Sequence, residues 1–290
     1  MSGTLTFRPS LLPRGFARQT VLTLLLLVFL LFLAFPIYYM VITSLKTPSE
    51  AYRVPPTLWP QNIQFNAFPY MLEAWGYWRT LFNTVVVAGV SAFISTVLGG
   101  LAAYAITRLT FKGRTLLYSL FVATIAIPGM VTVGPIFLAY KDLKLIDTHI
   151  GLVLVFVAET LPIALLTLFS YFKAIPRELD EAASIDGSSI VGTFFRIILP
   201  IALPGFSVTF LLIFIAVWND FLFAFILTAS PDVRLLTVRL FEVPSPGDIN
   251  RIPYDLIAAG GVLILLPLVP ILLRIQKQLV EGILAGAVKE

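Results

Sequence analysis

The ionisable side chains that could act on a bound molecule are few and scattered in this sequence. Glu159, Asp220 and His149 lie in or beside long apolar stretches, but their placement on different segments offers no recognisable catalytic pair. The chain has no cysteine and one histidine, which excludes disulfides, thiolate metal sites and multi-histidine metal sites. No phosphate-binding loop of the form G-x-x-x-x-G-K-S/T is present, so the chain cannot bind ATP in that way. We therefore expect a protein that is not an enzyme and holds no cofactor of its own.

Composition places much of the chain in lipid. Of its 290 residues, 58% are hydrophobic and only 12% are charged, and the mean hydropathy is +0.94. Soluble domains carry about 25% charged residues. The net charge of +4 is small, and the basic residues occur in twos and threes rather than in clusters, which argues against nucleic-acid binding.

Six apolar segments are long enough to cross a bilayer, for which roughly 20 residues suffice. Three are charge-free gaps, between Arg18 and Lys46, Arg79 and Arg108, and Arg114 and Lys141. The others run over about 150–171, 197–229 and 256–273. Prolines in four places are expected to interrupt spans, namely Pro128 and Pro135, Pro162, and Pro204. The pattern predicts an all-α integral membrane protein with six transmembrane helices.

The basic residues indicate which way the chain crosses the membrane. A cytoplasmic N-terminus puts most of the 20 Lys and Arg residues inside, and six spans return the C-terminus to the same side. We therefore expect a cytoplasmic N-terminal segment (1–18), a membrane domain (19–275) and a cytoplasmic tail (276–290). Proline-rich stretches at 45–79 and 230–255 read as irregular outside loops.

One cytoplasmic loop, residues 174–200, carries more than a connector needs. Pro176 suits the first position of a short helix, and Asp186-Gly187 would end it with glycine in the left-handed region. Ser188 or Ser189 can then cap a second helix that runs to Pro200. Ile175, Leu179, Ala182 and Ala183 fall on one face of the first helix.

The charge of this loop bears on what it contacts. A helix lying on lipid is one interpretation, but lipid-binding helices are rich in Lys and Arg. From Arg177 to Asp186 the only basic residue is Arg177, against four acidic residues. The small residues Ala182 and Ala183 allow close approach to a protein groove instead.

At this loop the sequence resembles a known family. Glu181-Ala182-Ala183, Gly187, Ile197 and Leu199-Pro200 match the spacing of the EAA motif of bacterial ABC importer permeases. The resemblance implies that the loop is a coupling helix docking on a separate ATPase subunit, with Asp186 part of the same turn.

The resemblance extends over nearly the whole chain and narrows to the carbohydrate-uptake branch, of the maltose permease G type. Asn83-Thr84, Trp218-Asn219-Asp220-Phe221 and the ending Gly282 to Lys289 carry it. It implies import of a sugar, such as a di- or oligosaccharide, by alternating access. The implied partners are a second homologous permease, two ATPase subunits that bind ATP and Mg, and an extracytoplasmic sugar-binding protein. A non-sugar ABC importer, a secondary transporter and an intramembrane enzyme are the alternatives, and six spans without an internal repeat disfavour the secondary transporter.

Polar residues in the fifth segment offer a contact for substrate or for a neighbouring subunit. A charge at the bilayer centre is costly, so Asp220 is expected to face a cavity or a partner, or else to lie near the outer interface. Trp218 could stack on a sugar ring, and Asn219 and Asp220 could bind its hydroxyls. For Glu159 we favour a structural role.

The C-terminal tail is rich in small residues. Gly282, Ala285, Gly286, Ala287 and Lys289 belong to an ending that, in the resembling permeases, inserts between the two ATPase subunits. A frayed terminus is the alternative. We expect the tail to provide a second contact with the ATPase subunits.

Overall fold

The computed structural model describes residues 14–244 and 252–287, and every regular element in this part of the chain is helical. The first seven helices are α1 (Arg14–Ser44), α2 (Pro48–Ala51), α3 (Ala67–Glu73), α4 (Tyr77–Arg108), α5 (Arg114–Ile125), α6 (Gly129–Asp142) and α7 (His149–Ala174). The next six are α8 (Glu178–Ile185), α9 (Ile190–Thr193), α10 (Leu199–Trp218), α11 (Leu222–Leu227), α12 (Leu236–Phe241) and α13 (Tyr254–Ala287). A π-helical turn, Phe194–Ile198, joins α9 to α10 without a break.

Length and composition give the predicted number of spans. In the described part, five helices are long and apolar enough to cross a membrane, and α5 with α6 makes a sixth span if the bent pair counts as one. The two halves of that pair meet at 98°. Pro128 stands at the N-cap of α6, where the chain is extended. The all-α, six-span prediction is confirmed, with a sharply broken third span.

The other prolines expected to interrupt spans do not do so. Pro135, Pro162 and Pro204 all lie inside continuous helices. A proline removes one backbone hydrogen bond, and a helix packed in protein or lipid can continue through that loss. Pro128 differs because its extended ψ of 130° cannot continue a helix.

The centre of the fold is α4, which packs against α7 and α10. Two glycines of α4 make this approach close: a Cβ added to Gly99 would lie 2.5 Å from the Cβ of Ala164, and one added to Gly100 would lie 2.5 Å from the ring of Phe206. The two glycines therefore form a small-residue packing face on α4.

The first span is apart from this core. α1 packs against α13, yet every side chain over residues 19–37 is exposed within this chain. Such an apolar helix needs lipid or another protein around it.

At the end of the spans opposite α8, the loops are more ordered than the proline-rich sequence predicts. The 230–255 stretch, expected to be irregular, contains α12, and two buried residues of α4 hold it. The Asn83 amide donates to the backbone oxygens of Asp232 (2.8 Å) and Arg234 (3.2 Å), and the Leu236 N–H donates to the Thr84 hydroxyl (2.9 Å). The Asn-Thr pair thus fixes the loop to the helix bundle.

A second clamp at this end is made by Asp147, in the loop between α6 and α7. One carboxylate oxygen accepts hydrogen bonds from the N–H groups of Ala229 and Ser230, both at 2.9 Å, and the Asp147 N–H donates to the Leu227 oxygen at 2.8 Å. Burial would raise the pKa of this carboxyl, but the backbone hydrogen bonds from Ser230 and Ala229 outweigh it and hold the pKa below its ordinary value of 3.8.

We expect Asp147→Ala to lower the free energy of unfolding by about 1–2 kcal/mol near neutral pH, because two amide groups lose a charged acceptor. The carboxylate's contribution is complete above its ordinary pKa and is lost as the pH falls through the lowered folded-state value. Thermal unfolding of wild type and variant should therefore converge in acid. Lys144→Ala is the matched control, since Lys144 has a φ of 56° and Asp147 one of 59°. Equal destabilisation by both changes would show that backbone strain, not the clamp, is responsible.

Candidate functional site: the coupling loop and the polar break

The acidic segment forms the predicted helix–turn–helix, with one shift at its start. α8 begins at Glu178, and Arg177 precedes it as the N-cap, so Pro176 is not the first helical residue. The residue before a proline favours extended backbone, and Ile175, with ψ of 127°, accordingly ends α7. Pro176 therefore separates the two helices. Acidic side chains occupy the first turn of α8, where the helix dipole stabilises them.

The turn after α8 has the predicted geometry. Gly187 has a φ of +77°, in the left-handed region, and its N–H donates to the Ser184 oxygen at 3.1 Å. The Ser189 hydroxyl then accepts from the Gly192 N–H at 3.1 Å and caps α9. Both the glycine turn and the serine cap are confirmed.

The second helix does not stop at Pro200. It continues from Ile190 to Trp218 as one span, through the π-helical turn. A proline inside an α-helix clashes with the carbonyl four residues earlier. The wide turn immediately before Leu199 and Pro200 relieves this clash, so the loop is continuous with the fifth span. Motion of the loop can therefore be transmitted to the membrane.

Two arginines tie the loop to the end of α4. Arg108 Nε lies 3.2 Å from Asp180 Oδ2, and the Arg108 guanidinium also donates to the Ile175 oxygen at 2.8 Å. The Nε and Oδ2 atoms are not aligned as a hydrogen bond, so their attraction is that of an ion pair. Arg177 donates in turn to the Thr107 oxygen at 3.0 Å. The Arg108 side chain is only 6% exposed, which makes this pair far better shielded than a surface salt bridge.

An aromatic cluster beneath the loop completes the attachment. Phe194, at the start of the π-helical turn, packs its ring on Tyr104 of α4 and Phe172 of α7, with centroids 4.8 and 6.4 Å away. Ile198, next to the motif residue Ile197, is fully buried in the same cluster. The loop, α4, α7 and α10 therefore share one core.

The outer face of the loop is apolar but uncovered. Of the predicted apolar face, Ile175 and Ala183 are buried in this chain, whereas Leu179 and Ala182 are exposed. Ile185 is 87% exposed. The expected single face is thus divided, because the fold covers only the side of α8 that faces the spans. Ala183 belongs to the internal packing, and Ala182 to the outside surface.

The fifth-segment polar residues lie at a break in the helix rather than within a span. α10 ends at Trp218 and α11 begins at Leu222, and the Asp220 carboxylate accepts from the N–H groups of Phe223 (3.1 Å) and Ala224 (3.2 Å). The Asn219 side chain is exposed and donates to the Ile215 oxygen at 2.7 Å. Trp218 is only 1% exposed and packs on Phe214, so in this conformation its ring is not free to stack on a sugar.

Glu159 lies between the break after α10 and the bend between α5 and α6. It lies on α7 with an exposed side chain, and its carboxylate approaches the start of α6, where a Cβ added to Gly129 would lie 3.6 Å from Glu159 Oε2. It also lies close enough to Asp220 for their charges to interact. Sequence reasoning set Glu159 aside as structural, because the bend that brings α6 to it could not be foreseen.

The C-terminal tail, which is predicted to contact the ATPase subunits, is described only in part. The backbone of Gly282, Ala285, Gly286 and Ala287 continues α13, so the helix runs past the predicted boundary at residue 276. Lys289 lies outside the described residues. Contact with an ATPase stays a prediction.

The architecture and loop now have counterparts among known proteins. Residues 95–284 match the family described as "Binding-protein-dependent transport system inner membrane component". This chain belongs to that family. It is thus a multi-pass membrane component of a transport system rather than the system's catalytic ATPase.

Curated relatives match this chain over most of their length. An inner membrane ABC transporter permease protein, YcjP, of Escherichia coli (strain K12) is 34% identical over 269 residues, covering 91% of this chain and 94% of its own. The trehalose/maltose transport system permease protein MalG of Thermococcus litoralis is 37% identical, covering 71% of this chain and 74% of its own. One chain of a bacterial ABC transporter involved in the import of the acidic polysaccharide alginate has the same fold, with a TM-score of 0.77, 22% identity, and 93% and 99% of the two chains covered.

Sequence reasoning missed Arg108 and Asp180 as site residues. One signal for them was present: Arg108 closes a charge-free span, and Asp180 is an acid within the matched loop. Their pairing depends on how α8 folds back against α4, which periodicity does not predict.

Proposed function

We propose that this protein is the membrane subunit through which an ATP-driven importer carries a sugar, a di- or oligosaccharide, into the cell by alternating access. The observation that carries the proposal is the loop at α8. The loop presents an uncovered apolar face, and a left-handed glycine turn follows α8. The buried Arg108 connects the loop to α4, the central span. Such a loop suits transmission of force between a soluble motor and the membrane.

The proposed assembly puts ATP and Mg on two separate ATPase subunits that dock at α8. α8 and both termini then face the cytoplasm, and the loops holding α2, α3 and α12 face an extracytoplasmic sugar-binding protein. A second, homologous permease completes the membrane part. The exposed lengths of α1, α5 and α6 support this, since no residue of α5 or α6 is buried within the described chain.

Sugar is the proposed cargo for two reasons. Relatives are named for trehalose, maltose and arabinooligosaccharides. Polar side chains near the bend of the third span (Thr132 and Glu159) and at the break after α10 (Asn219) supply donors and acceptors that suit hydroxyl groups. Broken helices at membrane depth occur where backbone lines a cavity or packs in protein.

The role of the break between α10 and α11 in transport can be separated from its role in folding. We expect Asn219→Ala to raise the KM for uptake several-fold, because its exposed amide is free to exchange the Ile215 contact for a sugar hydroxyl. Asp220→Asn keeps an acceptor for the α11 cap, whereas Asp220→Ala removes it and should reduce thermal stability by about 1 kcal/mol. Uptake kinetics in proteoliposomes, measured beside thermal unfolding, distinguish the effects. Unchanged kinetics in Asn219→Ala and Asp220→Asn, alone and combined, would remove both residues from the pathway.

The tail is proposed to make a second contact with the ATPase subunits. Deleting residues 282–290 should preserve membrane insertion but weaken ATPase association, or its stimulation by the binding protein, several-fold. In the intact chain, the small side chains of the tail let its backbone approach the two ATPase subunits closely. Pull-down and ATPase assays in nanodiscs measure both. A truncated complex with full assembly and full stimulation would return the tail to a frayed terminus.

The proposed function is tested by uptake. The complex, reconstituted in proteoliposomes with its binding protein, should accumulate at least one labelled di- or oligosaccharide from a panel. This accumulation should require ATP on the same side of the membrane as the ATPase subunits. Accumulation of a non-sugar solute under the same conditions would redefine the cargo. Uptake driven by an ion gradient without ATP would contradict the proposal as a whole.

A further inference from the structure

A cavity of about 620 Å³ opens beside the coupling loop, between the ends of α4, α5 and α7. Four basic residues line it, namely Arg108, Arg114, Lys173 and Arg177. Glu178 is the single acidic residue in its wall. The cavity lies at the α8 end of the spans, where helices leave the apolar zone, and none of the transport steps proposed above uses it.

Two of the four cations are already engaged. Arg108 pairs with Asp180, and Arg177 donates to the Thr107 oxygen. Arg114 and Lys173 form no ion pair within residues 14–244 and 252–287. Two cations facing one cavity repel each other unless an anion lies between them. The charge of the cavity therefore calls for an anionic ligand.

The start of α5 favours the same ligand. Gly113, its N-cap, has a φ of +88° and offers no side chain to the first amide groups of a 12-residue helix. Arg114 and Thr115 of that first turn both line the cavity. Uncapped N–H groups and the positive end of the helix dipole bind phosphate well.

The wall on the membrane side is apolar. The rings of Tyr118 and Phe169 line the cavity and lie 4.5 Å apart. Leu116, Leu117 and Leu120 of α5 are exposed just beyond, on the surface that lipid or a partner covers. A ligand that fits both walls has an anionic head and an apolar body.

We propose that this cavity binds the phosphate headgroup of an anionic phospholipid from the leaflet on the α8 side. Arg114 and Lys173 contact the phosphate, and Tyr118 and Phe169 contact the first part of the acyl chains. Basic pockets between transmembrane helices recognise such headgroups. Because Arg108 and Arg177 line the cavity and hold the coupling loop, the bound lipid braces the loop against α4.

The test uses the full chain in the complex with which it purifies, in nanodiscs of phosphatidylcholine with a minor fraction of spin-labelled phosphatidylglycerol. Arg114→Gln with Lys173→Gln should lower the selectivity for immobilised phosphatidylglycerol over phosphatidylcholine about tenfold. Each basic residue near a membrane surface raises the affinity for anionic lipid several-fold. Lys112→Gln with Arg196→Gln is the matched control, because it removes the same charge from exposed positions outside the cavity lining. Equal losses in the two double variants, or no loss in the first, would overturn the proposal.

Two further arms keep the result interpretable. Arg114→Lys with Lys173→Arg retains the charges and should keep the lipid preference, so its loss would overturn a site based on charge. Inorganic phosphate at millimolar concentration should not displace the spin-labelled lipid, because it lacks the apolar body. Full displacement would show a site for free phosphate and would also overturn the lipid assignment.

Discussion

Gly187→Pro is expected to abolish most sugar uptake while leaving the protein in the membrane. Proline fixes φ near −65°, whereas Gly187 has a φ of +77° and uses its N–H to bond Ser184. The turn then costs about 1–3 kcal/mol in strain, and α9 no longer lies where Ser189 caps it. We expect uptake to fall at least about tenfold, with basal ATPase activity retained but no longer stimulated by the binding protein.

A milder pair of changes controls for strain. Gly187→Ala and Gly76→Ala place a Cβ at the same φ of +77°, and neither Cβ would meet an atom within 4 Å. Gly76 precedes α4 at the opposite end of the spans. Gly187→Ala should uncouple partially and Gly76→Ala should not. Glu181→Lys, which reverses an exposed charge on α8, should also uncouple transport. Wild-type uptake in a variant carrying both Gly187→Pro and Glu181→Lys would count decisively against docking at this loop.

Loss of the Arg108–Asp180 pair should have the second large effect. Asp180→Ala leaves the guanidinium of Arg108, whose side chain is 6% exposed, without its carboxylate. Removing one partner of a shielded pair strands a desolvated charge, at a cost of about 2 kcal/mol after allowance for the partly exposed Asp180. We expect the attachment of the loop to α4 to weaken and stimulated ATPase activity to fall at least several-fold, as measured in nanodiscs.

The controls for this pair come from the same chain. Asp232→Ala removes the partner of Arg79 in an ion pair whose side chains are 64% and 65% exposed, and it should change stability very little. The exchange of Arg108→Asp with Asp180→Arg should recover part of the coupling. Full coupling in Asp180→Ala would show that the pair does not hold the loop.

Local rules predicted the features of this protein that depend on neighbouring residues. Long charge-free stretches gave the spans, and Asp186-Gly187 followed by Ser189 gave the turn and cap of the loop. Each of these depends on backbone chemistry within a few residues. The motif spacing predicts that the loop contacts an ATPase, which stays a prediction, and the family match supports a transport role.

What was missed depends on contacts between distant segments. The 98° bend at Pro128, the approach of Glu159 to the start of α6, and the pairing of Arg108 with Asp180 all arise when separate helices pack. The prediction that four prolines interrupt spans was wrong for three of them, because the four look alike in sequence and only Pro128 breaks a span. The continuation of the helix through Pro200 required a π-helical turn, which no residue pattern signalled. Trp218, expected to face a ligand, is enclosed by neighbours from the same chain.

The central claim, that α8 docks on a separate ATPase subunit, can be measured by cross-linking. The chain has no cysteine, so Ala182→Cys on the exposed side of α8 gives a unique thiol. With a short thiol-to-amine reagent, the assembled complex should yield an adduct of this chain with the ATPase, and uptake should stop. Lys144→Cys, at the opposite end of the spans, should yield no such adduct. Full uptake and no ATPase adduct from Ala182→Cys, in a complex that remains assembled, would contradict the account.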